Sequence, residues 1–100
     1  MSMSGKDRIL DILGGENMLR LMVDANRFYY PDDSSVGFFV GDKQVYIRER
    51  TDFLASGVLF YSIKVVDRNS GDMLNEHSAV YDTSLIKDLL EYDLKLCISF

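Results

Sequence analysis

The stretch that decides the fold runs from Val36 to Arg50 and reads VGFFVGDKQVYIRER. Successive side chains of a strand point to opposite faces, so alternating apolar residues predict strands with one buried face. Before the central Gly41-Asp42, one face carries Val36, Phe38 and Val40. After it, Val45 and Ile47 lie on one side, and the other side carries Gln44, Tyr46, Arg48 and Arg50. Gly41-Asp42 suits a two-residue type II′ turn, because glycine adopts the required positive φ, and the pattern predicts an antiparallel hairpin.

Further strands are predicted on both sides of this hairpin. On the N-terminal side, residues 28–30 form a short extended segment that stops at Pro31. On the C-terminal side, residues 51–57 are expected to form a loop and residues 58–66 the strongest strand of the chain. That strand is apolar on both faces, which indicates a central position in a sheet. The turn residues at 69–72 then lead into a weaker strand at about 73–80.

Three segments have the apolar spacing of helices. The first begins at Ser4, with Asp7 as its capping partner, and ends at Gly14-Gly15. The second covers about residues 16–25 with Asn26 as its cap, and a strand is the alternative for this segment. The third begins at one of the polar residues Asp82, Thr83 or Ser84, and its apolar stripe consists of Leu85, Ile86, Leu89 and Leu90.

The last residues alternate again, which predicts a short terminal strand after Asp93. One side of it carries Leu94, Leu96, Ile98 and Phe100, and the other side carries Lys95, Cys97 and Ser99. Together the elements predict an α+β fold, an antiparallel sheet of about four to five strands with helices near the N-terminus and near the C-terminus. One hundred residues with no internal repeat or linker are expected to form a single domain, residues 1–100.

The composition predicts a cytoplasmic protein with no membrane partner. The longest apolar runs are a few residues, far below the roughly 20 that span a bilayer, and the N-terminal residues lack the apolar core of a secretion signal. The single cysteine, Cys97, cannot form an internal disulfide, which is consistent with a reducing compartment. We expect its side chain to be buried or half-buried in the terminal strand.

The formal net charge of −5 at pH 7 is concentrated in residues 67–93. This segment contains seven acidic and two basic residues, so the rest of the chain is neutral. Such an excess indicates either a solvated face or an acidic docking surface. The docking interpretation assigns partner binding to three acidic residues: Asp82, Asp88 and Glu91.

The residues that enzymes and metal sites require are scarce in this chain. One His and one Cys, twenty residues apart, cannot supply the three or four nitrogen and sulfur ligands of a zinc site. The neighbours of His77, Glu76 and Ser78, point to the opposite face of a strand, so we expect an exposed or rim histidine without a catalytic partner. Residues 67–72 predict a hairpin turn rather than a calcium loop. The sequence therefore predicts no catalytic residue, no metal and no cofactor.

Binding is the function class that these residues favour. Tyr46, Arg48 and Arg50 share one strand face, and tyrosine and arginine are enriched among the residues that dominate protein interfaces. Three more aromatic residues are difficult to place in the same core: Tyr29, Tyr30 and Phe39. The strand face is also of the kind that stacks the bases of single-stranded nucleic acid. The net negative charge and the presence of Glu49 in the strand disfavour nucleic acid as a partner.

Four short motifs together resemble small proteins of bacteriophages and integrated mobile elements. They are Ile12-Leu13-Gly14-Gly15, Ala25-Asn26-Arg27-Phe28, Val45-Tyr46-Ile47 and Ala79-Val80-Tyr81-Asp82, the last leading into the stripe of the third helix. The resemblance implies an accessory protein that acts inside a bacterial host. This class includes inhibitors of host defence that bind a protein surface. No catalytic residues carry over from it.

Three hypotheses about function follow. The leading one is a non-enzymatic accessory protein that binds a host protein, either through the acidic region 67–93 or through the strand face with Tyr46, Arg48 and Arg50. The first alternative is single-stranded nucleic-acid binding by that same strand face. The second alternative is a small structural protein that forms a homo-oligomer.

Overall fold

An antiparallel sheet organises the computed structural model, which describes residues 4–52, 54 and 56–97. Its strands are β1 (Asn26–Tyr29), β2 (Ser35–Val40), β3 (Lys43–Asp52), β4 (Val58–Asp67) and β5 (Met73–Val80). Each strand pairs with the one before it in the chain, so the spatial order is β1-β2-β3-β4-β5. The helices are α1 (Gly5–Leu13), α2 (Glu16–Val23) and α3 (Ile86–Cys97), and a 3₁₀ turn at Thr83–Leu85 precedes α3. The predicted α+β fold, with helices near both ends of the chain, is confirmed.

The central hairpin forms as its alternating pattern predicts. The two-residue turn at Gly41-Asp42 joins β2 to β3, and Gly41 has a φ of 58°. The register places Val36 opposite Ile47 and Phe38 opposite Val45. All four side chains are fully buried, which makes the face predicted from the alternation the core face of the sheet.

The strand predicted to be central, β4, lies inside the sheet between β3 and β5. Its core-facing residues are Tyr61, Ile63 and Val65. The preceding strand β3 reaches into the predicted loop at 51–57, because Thr51 and Asp52 still pair with β4. The sheet has β1 at one edge and β5 at the other.

The helices of the described chain pack on one face of the sheet. Their buried side chains form a single core cluster with the inward-facing strand residues; they are Ile9, Leu13, Leu19, Ile86, Leu90 and Leu94. In this part of the chain, no helix combines the length and the apolar character needed to cross a bilayer. The opposite face of the sheet is not covered by any described helix, so its side chains face outward.

The segment whose sequence allows either a helix or a strand forms the helix α2. It ends at Asp24, which has a left-handed φ of 59° and donates its N–H to the carbonyl of Leu19. The prediction that Asn26 caps this helix is wrong, because Asn26 begins β1 and pairs with Phe39. The chain therefore passes from helix to sheet within two residues.

The predicted terminal strand after Asp93 is wrong over residues 94–97, which form the last turn of α3. Leu94 is buried and continues the stripe formed by Ile86 and Leu90, and only helical spacing brings these three residues onto the sheet together. The remainder of the predicted strand, residues 98–100, lies outside the described residues. So do the side chains of residues 95–97, and the burial of Cys97 stays a prediction.

Glu49 joins α1 to the sheet through a buried carboxylate. Arg8 donates from Nε to Oε2 at 2.8 Å and from Nη2 to Oε1 at 2.5 Å. The hydroxyl of Tyr61, opposite Glu49 on β4, donates to Oε2 at 2.8 Å. The hydrogen bonds from Arg8 outweigh the effect of burial and hold the pKa of Glu49 below its ordinary value. Burial and the bond to Glu49 raise the pKa of Tyr61 to about 12.

The first turn of α1 lies directly against the ends of β2 and β3. A Cβ on Gly5 would stand 2.9 Å from Glu49 Oε1 and 2.9 Å from the Cα of Ser34, so a side chain at this position would push the helix away. The N–H of Lys6 donates to the carbonyl of Asp33 at 2.8 Å. The helix begins at Ser4 as predicted, since the Ser4 hydroxyl accepts from the N–H of Asp7.

The Glu49 contact predicts a pH-dependent change in stability. Glu49→Gln removes the charge from a buried pair, so we expect the free energy of unfolding to fall by about 2 kcal/mol at pH 7. Because the folded pKa of Glu49 is lowered, its contribution is complete above the unfolded pKa of about 4.3 and is lost as the pH falls through the folded value. Urea denaturation at a series of pH values measures the difference between the two proteins.

The matched control is Glu91→Gln, because the Glu91 carboxyl forms no ion pair with the described residues. This variant is expected to follow the wild type across the series. A difference between wild type and Glu49→Gln that stays constant from neutral to acid pH would contradict the prediction.

Candidate binding surface

The uncovered side of the sheet, which we call the open face, carries the outward-pointing residues of its strands. The alternation and the strand register place on it Tyr29, Phe39, Gln44, Tyr46, Arg48, Arg50, Phe60 and Lys64. Tyr46, Arg48 and Arg50, predicted from sequence to share a face, lie together on it. Glu49 points to the helix side, where it pairs with Arg8, so it does not offset the charge of the two arginines.

One end of the open face is an aromatic cluster of Tyr29, Phe39 and Tyr46. The rings of Tyr29 and Phe39 lie 5.8 Å apart between centroids. The Tyr29 hydroxyl accepts from Nε2 of Gln44 at 2.5 Å, and the Tyr46 hydroxyl lies 3.1 Å from Oγ of Ser35. These bonds fix the orientation of both phenols, so the cluster is held in one arrangement before any partner binds.

Gly37 is the platform on which the Tyr29 ring rests. A Cβ at this position would meet Cζ, Cε1 and Cε2 of Tyr29 at 2.0 to 2.5 Å. Three ring carbons surround the same point, which means that the ring lies with its face against the backbone. Gly37 pairs with Tyr46 on β3, so the ring of Tyr29 is stacked over the middle of the hairpin.

Arg48 and Arg50 are exposed in the middle of the open face. The residues opposite them on β4 are Ser62 and Phe60. The N–H of Ser34, the hydroxyl of Ser35 and the charge of Arg48 lower the pKa of Asp32. Neither arginine forms an ion pair with the described residues, and both guanidinium groups are accessible to a ligand.

A second aromatic pair lies at the other end of the open face. The rings of Phe60 and Tyr81 stack, with 5.3 Å between their centroids and 29° between their planes. The Tyr81 hydroxyl donates to Oδ2 of Asp52 at 2.8 Å, and this bond raises the pKa of Tyr81 above its ordinary value. The two arginines therefore stand between two aromatic groups.

The remaining aromatic and basic residues near this face are engaged in local contacts. Cζ of Arg68 lies over the ring of Phe39, 4.5 Å from the ring centroid. Nζ of Lys64 lies 3.8 Å from Oε2 of Glu76. Tyr30 is separate from the open face cluster, because it donates to Glu16 of α2 at 2.5 Å. Burial and that bond raise the pKa of Tyr30 to about 12.

The predicted acidic residues occupy the helix side of the molecule. Asp82 precedes the 3₁₀ turn and accepts from the N–H and hydroxyl of Ser84, while Asp88 and Glu91 lie on α3. The acidic region 67–93 is not one surface: Asp67 accepts from the backbone of the β4–β5 turn, and Asp93 is buried. The structure thus places the two predicted partner-binding groups on opposite sides of the sheet.

A histidine–carboxylate pair connects β5 to α3, and it was missed from sequence. Nε2 of His77 lies 2.8 Å from Oδ2 and 3.0 Å from Oδ1 of Asp93, and Nδ2 of Asn75 donates to the same carboxylate at 2.6 Å. Asp93 is 1% exposed, and His77 is at the rim as predicted. Sixteen residues separate the pair, so only the packing of α3 brings them together.

Sequence reasoning finds three aromatic residues of the open face, Tyr29, Phe39 and Tyr46, and misses Phe60 and Tyr81. Phe60 had a signal, because it alternates with the core-facing residues of β4. The position of Tyr81 could not be predicted from the sequence pattern, because Tyr81 follows the last residue of β5 and its position depends on the turn into α3.

Comparison with known proteins gives no relative for this chain: no protein-family model, no curated protein and no solved structure matches it. The resemblance to proteins of bacteriophages and mobile elements therefore stays a prediction.

The contact between Tyr29 and Gly37 can be measured by a double-mutant cycle. Gly37→Ala forces the Tyr29 ring off the backbone, and we expect the free energy of unfolding to fall by about 2 kcal/mol. Tyr29→Ala removes the obstacle, so Gly37→Ala should cost much less in the Tyr29→Ala background. Thermal or urea unfolding of the four proteins gives the coupling energy. Additive effects of the two substitutions would contradict this arrangement.

Proposed function

We propose that this protein is a non-enzymatic binding module and that its open face binds the acidic surface of a partner protein. The observation that carries the proposal is the position of Arg48 and Arg50, exposed between two aromatic groups on a face that no described helix covers. Arginine and tyrosine dominate the energetics of protein interfaces, because they combine a large contact area with directional polar groups.

The chemistry of the two arginines favours carboxylates as the groups they meet. A guanidinium donates two parallel hydrogen bonds to one carboxylate, and such charge-assisted pairs are stronger than neutral ones. The aromatic groups on either side provide apolar contact that excludes water from the pair. Because Tyr29 and Tyr46 are held by hydrogen bonds, little side-chain freedom is lost on binding.

The partner in this proposal is a protein, as in the leading hypothesis from the sequence. A host protein as the partner, inhibition of a host defence system and a cytoplasmic location are parts of this proposal that rest on the sequence alone. The acidic residues Asp82, Asp88 and Glu91 lie on the helix side, so they are not part of the proposed interface.

Charge reversal on the open face tests the proposal. The variant Arg48→Glu/Arg50→Glu is used as bait in affinity capture from a lysate of the cell that expresses the gene, with quantitative mass spectrometry. The matched control is Arg20→Glu/Lys87→Glu, which changes the net charge equally on the helix side. We expect a partner that wild type and control retain and the open-face variant loses.

The purified partner then gives the affinity. We expect the open-face variant to bind at least about tenfold more weakly than the control, and the affinity of the wild type to fall with added salt. Circular dichroism establishes that both variants are folded. Equal retention of the partner by both variants, or no retained protein at all, would contradict the proposal.

One observation favours single-stranded nucleic acid as a second candidate ligand. The Tyr29 ring lies with its face on Gly37, which is an arrangement that suits stacking with a base on the other face of the ring. The net charge of −5 acts against this candidate, because the chain as a whole repels phosphate.

Fluorescence anisotropy with a labelled oligothymidine distinguishes the two ligands. Nucleic-acid binding requires saturable binding at low salt that weakens steeply as salt is added and is lost in Arg48→Ala/Arg50→Ala. We expect no saturable binding, as the protein-binding proposal requires.

A further inference from the structure

A groove of about 420 Å³ runs between the outer edge of β5 and the start of α3. Its strand wall is formed by residues 77–82, and its helix wall by Leu85 and Leu89. The groove lies on the helix side, away from Arg48 and Arg50. Tyr81 lines one end of the groove and also stacks on Phe60 of the open face, so the groove adjoins the surface in the proposed function but does not include its arginines.

The strand wall is the free edge of the sheet. β5 pairs with β4 on one side, and no described strand pairs with it on the other. The N–H of Glu76 donates to Oδ1 of Asn75 at 3.0 Å, so this N–H is not available to a further strand. The groove begins at the next residue, His77, and Ser78 and Ala79 are exposed beside it. Unpaired backbone groups of an edge strand are a template for adding a further strand.

The helix wall supplies an apolar strip. Leu85 is 47% exposed, and Leu89, one turn later on the same side of α3, is half-buried. Val80 completes the apolar lining from the strand wall. A strand added to β5 directs every second side chain toward this strip, so the strip is suited to aliphatic residues in alternate positions of a ligand.

Acidic groups flank the apolar strip. Asp82 lines the groove, and the exposed Asp88 of α3 precedes the lining residue Leu89 and lies outside the lining itself. Among the residues that the structure describes, no lysine or arginine lines the groove. The charge therefore favours a ligand with basic side chains.

The contact between His77 at the rim and the buried Asp93 connects the two walls of the groove. Asn75 donates to the same carboxylate, so two residues of β5 are attached to one position of α3. Because this contact forms the groove before a ligand arrives, little conformational entropy is lost on binding.

We propose that this groove is a second binding site, which takes an extended peptide segment as an additional strand on β5. On the side of the peptide that faces the strip, aliphatic side chains in the middle contact Leu85 and Leu89, and basic side chains at the two ends contact Asp82 and Asp88. Its backbone hydrogen-bonds to the exposed edge between His77 and Val80. The ligand proposed for this site is basic, whereas the partner surface proposed for the open face is acidic.

Three synthetic octapeptides test the proposal by fluorescence anisotropy with the full-length protein. The first carries lysine, valine, valine and lysine on one strand face, at its second, fourth, sixth and eighth positions, with threonine at the other positions. The second has glutamate in place of both lysines, and the third repeats the first with N-methylated backbone amides at every second residue. We expect saturable binding of the first and binding at least about tenfold weaker for the other two. The third peptide keeps the side chains but lacks backbone N–H donors, so weaker binding of this peptide identifies strand addition.

Variants of α3 localise the site. Asp88→Lys is expected to weaken binding of the lysine–valine peptide by about tenfold, and Glu91→Lys, the same charge change away from the groove, by less than about twofold. Arg48→Glu/Arg50→Glu is expected to bind the peptide as the wild type does, so failure of this site and failure of the proposed function are separable. Hydrogen exchange should show new protection at residues 78–80 when the peptide is bound.

Four outcomes would overturn the proposal. They are no saturable binding of the lysine–valine peptide, equal binding of the N-methylated peptide, equal effects of Asp88→Lys and Glu91→Lys, and new protection on β3 instead of β5. Concentration-dependent dimerisation in sedimentation that Asp88→Lys abolishes would also overturn it, because the occupant would then be a second copy of this chain.

Discussion

The buried carboxylate of Glu49 is the constraint on which the arrangement of helix and sheet depends. A charged group with a side chain 5% exposed is tolerable only when it is paired, and Arg8 and Tyr61 provide the partners. Arg8 is on α1 and Tyr61 is on β4, so satisfying the carboxylate fixes α1 over the centre of the sheet. Gly5 allows the close approach that this pairing needs. With α1 fixed there, the core forms on that face.

A sheet that is covered on one face has two surfaces of different chemistry. The open face carries the arginines and aromatic residues, because the outward positions of β3 and β4 are not needed for the core. The helix side carries the acids of α3 and the free edge of β5. The sheet thus separates Arg48 and Arg50 from the acidic residues Asp88 and Glu91.

Local pattern predicted the elements that bury one face against the core. Alternation identified the faces of β2, β3 and β4, because a one-residue shift would expose every apolar side chain. The same rule gave a wrong terminal strand, since Leu94 also fits the helical stripe of Ile86 and Leu90, and burial on the sheet favoured the helix. No local sequence pattern indicates that His77 pairs with Asp93 or that Phe60 stacks on Tyr81, because each contact joins segments far apart in sequence.

The sequence by itself determined which residues face inward and which face outward in the hairpin, and it placed Tyr46, Arg48 and Arg50 on one surface. That much follows from the period of a strand, which is a local property of the backbone. Only the tertiary structure decided that the acids of residues 67–93 do not form one surface, that Glu49 pairs with Arg8 of α1, and that α3 forms a groove with β5. These depend on which face the helices cover and on how the last helix packs, and both are set by contacts between residues distant in the chain.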